Sequence, residues 1–248
     1  MSVTAQEIKR ISRDNLNNKY RLVMGAFILA NLVTAVIELP FSKFLSDNPT
    51  ITQTIIYYVV EFLIALVSIV MTVGQYSIHL DIARQKREMP SQLRIFHYFK
   101  DQPDRYILAG ILLLALTVVS VLPLLAVCFL AESMPDITYI VLVAVAGIVS
   151  LVLFVVIQLH FALLYFVLLE HNEMGLGDAI RVSLGLMKGH KMRLFQLYIS
   201  FVGFDLLAVL SLGIGFVWVV PYQMQVTTNF YLDVIGELPE HPFINHYV

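Results

Sequence analysis

The sequence predicts an all-α fold, a polytopic transmembrane helical bundle of about six spans with short cytoplasmic amphipathic helices. Composition is the first reason. The 248 residues are 58% hydrophobic and only 14% charged, with a mean hydropathy of +0.79. Soluble domains carry about 25% charged residues, so this chain lacks the polar groups to cover its own surface and needs lipid as solvent. Patterning is the second reason. Apolar runs of bilayer length recur, and in the last of them, 194–220, Asp205 is the sole charge in 27 residues. About 20 such residues suffice to cross a membrane. The third is the placement of the cations. Of 16 lysines and arginines, all but Lys43 lie before the first run, between the second and third, or between the fourth and fifth.

The chain begins with Thr4-Ala5-Gln6-Glu7, a capping box in which hydroxyl and carboxylate each satisfy a free backbone amide at a helix start. Ala5, Ile8, Ile11 and Leu16 then form an apolar stripe with Lys9, Arg10 and Arg13 around it. Such a cytoplasmic helix, within residues 1–20, can lie on a membrane surface. An ordinary solvated helix fits the same pattern. The apolar region starts too late for a signal peptide, and further spans follow it. Spans are expected near 22–39, 55–80, 107–130 and 139–169. Region 194–220 admits two readings. As a single helix it measures about 40 Å, longer than the roughly 30 Å hydrocarbon core, and must tilt. Alternatively a helix runs to Ser211, turns at Gly213-Ile214-Gly215 and returns through Pro221 to Asp233, which gives six spans. That return needs protein around Gln223, Gln225, Thr227 and Asn229, and a neighbour or water for the carbonyl freed by Pro221. Positively charged loops stay cytoplasmic, so the N-terminus and both long basic loops are expected to face inward from the cell membrane. A single membrane domain then covers 21–233, followed by a cytoplasmic acidic tail, 234–248.

Before spans one, three and five stand NNKYRLVMGAF, QPDRYILAGIL and GHKMRLFQLYI, each a polar turn, a basic residue and then apolar helix. Short amphipathic runs precede them at 4–16, 91–99 and 178–188. An internal repeat of three hairpins, 4–80, 91–169 and 178–233, would produce this pattern. So would the basic entry common to any cytoplasmic end of a membrane helix.

The run SLGLMKGHKMRLFQLYISFVGF, then SLGIGFVWVVPY, then TTNFY, resembles the bacterial integral membrane family called domain of unknown function 975. The resemblance rests on Ser183, Leu186 to Lys191, Leu194, Phe195, Ser200, Phe201, Gly203, Gly213 to Gly215, Pro221, Tyr222, Phe230 and Tyr231. Phe204 stands where that family usually has Trp, and Asp205 follows where an apolar residue is expected. The resemblance implies a multi-pass membrane protein near six spans. It implies no activity, so no catalytic residue follows from it.

The residues themselves suggest two sites. On span two Tyr57, Glu61, Ser68, Thr72, Gln75 and His79 fall within about 60° of one another at 100° per residue. A polar stripe that narrow, with a carboxylate in it, does not face lipid. Gly147, Ser150, Gln158 and Tyr165 make a looser stripe on span four, with His160 on the opposite side of that helix. Span five carries Asp205. One reading is a polar path through Glu61, Ser68, Thr72, Gln75, His79, Gln158 and Asp205, with His160 as a weaker member, that binds a cation or relays protons. The other is interhelical adhesion, each group bonded to a neighbour. The second site is the basic turn. Lys188, His190, Lys191 and Arg193 beside an amphipathic helix can hold anionic lipid headgroups, each cation contributing about 1 kcal/mol. They can equally anchor the end of span five, with Gly189 as a left-handed helix cap. Arg84, Lys86 and Arg87 could extend the same surface. Trp218, Tyr222 and Tyr231 read as interface anchors or as packing, rather than as a ligand box.

Several classes are disfavoured. A net charge of −2 argues against nucleic-acid binding. Cys128, the only cysteine, permits no internal disulfide and no Cys-rich metal site. His79 and Asp81 make a pair, which is no metal site. H-E-x-x-H, G-x-S-x-G, Walker A and dinucleotide fingerprints are missing, so neither enzyme chemistry nor a cofactor is expected. The leading expectation is a non-catalytic component whose partners are the lipid bilayer, with its anionic headgroups, and a membrane protein or a second copy. The alternative is a transporter or channel for a small ion or solute using Glu61 and Asp205.

Overall fold

The structure, a computed structural model, describes residues 3–41, 49–86, 90–130 and 136–239. Among these residues it is helical, without strands. Helix α1 is Ala5–Leu16, α2 Tyr20–Glu38 and α3 Ile51–Ala83; a 3-10 helix, Gln92–Phe99, follows. Then come α4 (Pro103–Phe129), α5 (Asp136–Phe161), α6 (Leu164–Glu170), α7 (Leu176–Leu186), α8 (Lys191–Ile199), α9 (Val202–Leu210) and α10 (Phe216–Val234). By length and apolarity five stretches can cross a membrane: α2, α3, α4, the α5–α6 stretch and the α8–α9 stretch. Lys43, Arg87 and residues 240–248 of the expected acidic tail lie outside the described residues.

Local chemistry sets the boundaries. Thr4 and Glu7 close the expected capping box, and Thr50 with Gln53 closes a second one at the start of α3. Pro103 occupies the first turn of α4, where its missing N–H costs nothing. The Ser91–Phe99 run, amphipathic in sequence, winds as a 3-10 helix that lies across α3. Gly74 makes the crossing possible, since a Cβ there would stand 2.4 Å from the Ile95 Cα.

The 194–220 region is the hairpin, not the tilted helix. The chain reverses at Leu212 (φ 55°) and Gly213 (φ 88°), and the Ser211 hydroxyl oxygen accepts the Gly215 N–H at 2.8 Å. Leu212 holds a left-handed conformation that costs a non-glycine residue about 1–2 kcal/mol, and it is 93% exposed. The returning helix, α10, is not among the five apolar stretches. It packs on α1, α3, α2 and α9, and its named partners cluster at one end of the bundle, where most of the cations sit. Trp218 meets Tyr20 at the start of α2, Gln225 meets His79, and Tyr231 meets Phe166.

That charged end holds the core. On α3, most side chains from Val70 to Ala83 are buried, together with Ile95, Tyr106, Leu163, Leu164, Phe166 to Leu168, Met187, Leu194 and Phe230 to Leu232. The apolar face of the N-terminal helix joins this core. Its apolar stripe, Ile8, Ile11 and Leu16, is buried against α10, α3 and α8. A buried chain of hydrogen bonds locks it: Asn15 Nδ2 donates to Asn229 Oδ1 (3.2 Å), Asn229 Nδ2 to Ser12 Oγ (2.8 Å), and Ser12 Oγ to the Ile8 carbonyl (2.7 Å). The buried polar residues of α10 thus have the protein surroundings that the hairpin reading requires.

Candidate functional site

The α3 stripe is dealt out to several neighbours. Ser68, Thr72 and Gln75 line a cavity of about 170 Å³ with Asn31 and Thr34 of α2. Within it the Thr72 hydroxyl donates to the Ser68 carbonyl at 2.8 Å. His79 Nδ1 lies 2.8 Å from Gln225 Oε1, so the ring donates there, and Gln225 Nε2 donates back to the His79 carbonyl at 3.4 Å. Glu61 lies one turn from Tyr57, its neighbour on the same helix. Asp205 accepts from Gln223 Nε2 at 2.8 Å, across the α9–α10 hairpin. The cavity reaches neither Glu61 nor Asp205. Gln158 is exposed on α5, away from the stripe. The structure therefore brings Ser68, Thr72 and Gln75 together and leaves His79, Asp205 and Glu61 in separate local pairs.

The basic turn is mostly committed to protein. Gly189 adopts φ 85°, the left-handed cap expected of it. Arg193 bonds the Val3 carbonyl (2.7 Å) and Asp233 Oδ2 (2.5 Å), and its guanidinium stands 5.4 Å from the Phe230 ring centre. Asp233 in turn accepts the Val3 N–H at 3.2 Å, so one ion pair ties the chain's start to α8 and α10. His190 Nδ1 lies 3.2 Å from Arg193 Nη1. Lys191 Nζ is 2.5 Å from His160 Nε2, while His160 Nδ1 donates to the Val156 carbonyl at 2.6 Å, which fixes the tautomer. Lys188 is exposed on the turn.

A second polar feature gathers Asp81, Arg84, Lys86 and Tyr231, which the sequence offers only singly, with partners from elsewhere in the chain. A cleft of about 720 Å³ opens at the charged end among α3, the 3-10 helix, α6, α7 and α10. Its cations and carboxylates neutralise one another. Arg84 pairs with Glu170 (2.5 Å) and Glu237 (2.6 Å), and buried Asp81 pairs with Lys86 (2.5 Å) and more loosely with Arg94 (3.7 Å). The Tyr231 hydroxyl donates to Glu170 at 2.6 Å; burial first, then that carboxylate, push its pKa well above the ordinary tyrosine value. Arg105 holds the α6–α7 link by donating to the carbonyls of His171, Asn172 and Met174, each at 2.7 Å. Among the described residues no three His, Cys, Asp or Glu side chains converge as metal ligands. In sequence, Asp81, Glu170 and Glu237 lie far apart along the chain. Only the fold makes them a cluster.

Comparison with known proteins gives one finding. The family model described as "Protein of unknown function (DUF975)" matches residues 1–237. No curated protein and no solved structure matches the chain.

Proposed function

This chain belongs to the family described as Protein of unknown function (DUF975), and we propose that it is a non-catalytic, lipid-associating component of the cytoplasmic membrane with its N-terminus inside. One observation carries the reading: the two ends of the bundle use their side chains differently. At one end basic residues, salt bridges and a protein core form a compact layer; at the other, large apolar side chains such as Ile51, Ile137 and Phe129 are exposed. Basic segments are retained on the cytoplasmic side, and anionic lipids are attracted to clustered cations there. The layer is then the inner face, positioned to meet headgroups. Thermal unfolding in detergent micelles tests this. Added phosphatidylglycerol should raise the unfolding temperature by several degrees more than phosphatidylcholine, because a ligand that binds the folded state stabilises it by mass action. Equal shifts would remove the lipid role.

A second reading, transport of a small ion or solute, is favoured by the polar cavity at Ser68, Thr72 and Gln75. It predicts pH-dependent flux in proteoliposomes that falls in the Glu61→Gln and Asp205→Asn variants. Wild-type proteoliposomes without such flux reject the reading, and flux unaltered in both variants removes Glu61 and Asp205 from it.

A further inference from the structure

Where α1 lies against the α9–α10 hairpin, a groove of about 320 Å³ is lined by Lys9, Arg13, Tyr20, Phe204, Trp218, Val219 and Tyr222. Its two cations stand four residues apart on one face of α1, an arrangement that destabilises an isolated helix by a few tenths of a kcal/mol. No carboxylate of the described residues pairs with either. The Lys9 ammonium donates only to the Ser200 hydroxyl, at 3.1 Å, and otherwise stands over two aromatic rings, 5.1 Å from the centre of Phe201 and 5.9 Å from that of Phe204. Asp14 lies about 100° round the helix from Arg13 and makes no ion pair with it; a neighbouring groove is lined by Arg10, Arg13 and Asp14 together. Partial burial, and secondly the Arg13 charge, hold Lys9 below the usual lysine pKa. This contrasts with the 720 Å³ cleft, where each cation has its carboxylate.

The rest of the groove is built for an apolar occupant. Tyr20 and Trp218 pack with ring centres 5.2 Å apart, and Phe201 meets Tyr222 edge-on at 5.2 Å. Tyr222 is fixed by donating its hydroxyl to the Lys9 carbonyl at 3.2 Å. Trp218 and Phe204 remain 55% and 46% exposed, and beyond them the hairpin presents Leu206, Leu207 and Leu210 outward. Two cations at the mouth of an aromatic groove that runs onto an apolar surface match one class of molecule: a negative headgroup attached to hydrocarbon. A soluble anion would leave the aromatic wall uncovered, and an acidic peptide would have to sit against the lipid-facing hairpin.

We propose that this groove binds an anionic phospholipid, its phosphate between the Lys9 ammonium and the Arg13 guanidinium and its acyl chains along Phe204, Trp218 and Val219. The site rests on the lipid-associating reading above and gives it an address, one that the basic turn at Lys188 to Arg193 does not supply.

Trp218 is the sole tryptophan, so the groove carries its own reporter. The protein is reconstituted in nanodiscs of phosphatidylcholine containing a minor fraction of phosphatidylglycerol, with bromine on the acyl chains of one lipid or the other. Brominated phosphatidylglycerol should quench Trp218 well beyond its share of the lipid. In the Lys9→Gln/Arg13→Gln variant that excess should vanish, an enrichment lower by on the order of 30-fold at about fivefold per cation. A Lys9→Arg/Arg13→Lys variant keeps both charges and should keep the excess, which separates loss of the site from loss of the fold. If the wild type shows no excess quenching although phosphatidylglycerol still raises its unfolding temperature, the lipid binds elsewhere and this site is overturned. If neither effect is seen, the lipid-associating reading falls with it. Excess quenching that survives in the Lys9→Gln/Arg13→Gln variant also overturns the site.

Discussion

Helix α3 passes through both halves of the molecule, and its two ends obey different rules. From Val70 to Ala83 it is enclosed by the 3-10 helix, α1, α6 and α10, with Met71, Ile78 and Ile82 fully buried. From Ile51 to Leu63 it meets few neighbours, and Ile51, Ile55, Tyr58 and Phe62 are exposed. Both stretches are rich in apolar residues, so hydrophobicity alone does not distinguish them. The difference is the solvent. At the charged end apolar side chains are packed against protein, where cavities and overpacking are costly. At the other end they lie open, as lipid-facing side chains do, because hydrocarbon tails solvate leucine as well as leucine does.

The comparison sharpens under mutation. The largest effect is expected at Asp233. Its carboxylate is nearly buried and holds both Arg193 and the Val3 amide, so Asp233→Ala leaves a guanidinium without its partner. A loss of about 3 kcal/mol is expected, since breaking a buried ion pair from one side exposes the other charge to a poor solvent. Chemical unfolding in micelles measures it, and proteolysis near Asn17 to Lys19 should speed up as α1 loosens. Gly74→Ala comes next. The added methyl group drives against the Ile95 backbone, and overpacking of this kind costs about 1–3 kcal/mol. Asn229→Ala follows, at about 1–2 kcal/mol, because it strands the buried Asn15 amide and removes the donor to the Ser12 hydroxyl oxygen. The smallest effect belongs to the other half. Phe62→Ala removes a larger side chain than any of these, yet it should change stability by no more than about 0.5 kcal/mol, as expected where no packing is lost. A loss at Phe62 as large as that at Gly74 would erase the distinction between the halves.

Much of this was legible in the sequence, and the reasons are local. The apolar runs, the Thr4–Glu7 capping box, the left-handed Gly189 and the turn at Gly213 are each specified by residues within a few positions of one another. The polar residues of α10 announced that the returning helix needed protein around it, and α1, α3 and α2 supply that protein. What could not be read was pairing across distance. The sequence offered Arg193 as a lipid contact, but Asp233, 40 residues away, takes it into the core. Lys191 is similarly turned to His160. Gln158 shares a helical face with Tyr165 on paper; the break between α5 and α6, at Ala162 and Leu163, lets Tyr165 pack on Tyr76 while Gln158 stays exposed. Lys9 and Arg13 were visible only as cations flanking an apolar stripe. Their significance depends on a hairpin that begins almost 200 residues later.

The most direct test of the account is which way the charged end points. In a Cys128→Ser background, Lys188→Cys places a thiol on the exposed basic turn, and Pro49→Cys places one on the exposed backbone just before α3, at the opposite end. A membrane-impermeant maleimide added to intact cells should label the Pro49→Cys variant and spare the Lys188→Cys variant, and inverted membrane vesicles should give the reverse. Labelling of both from one side, or the opposite order, would contradict a bundle whose packed, cationic end faces the cytoplasm.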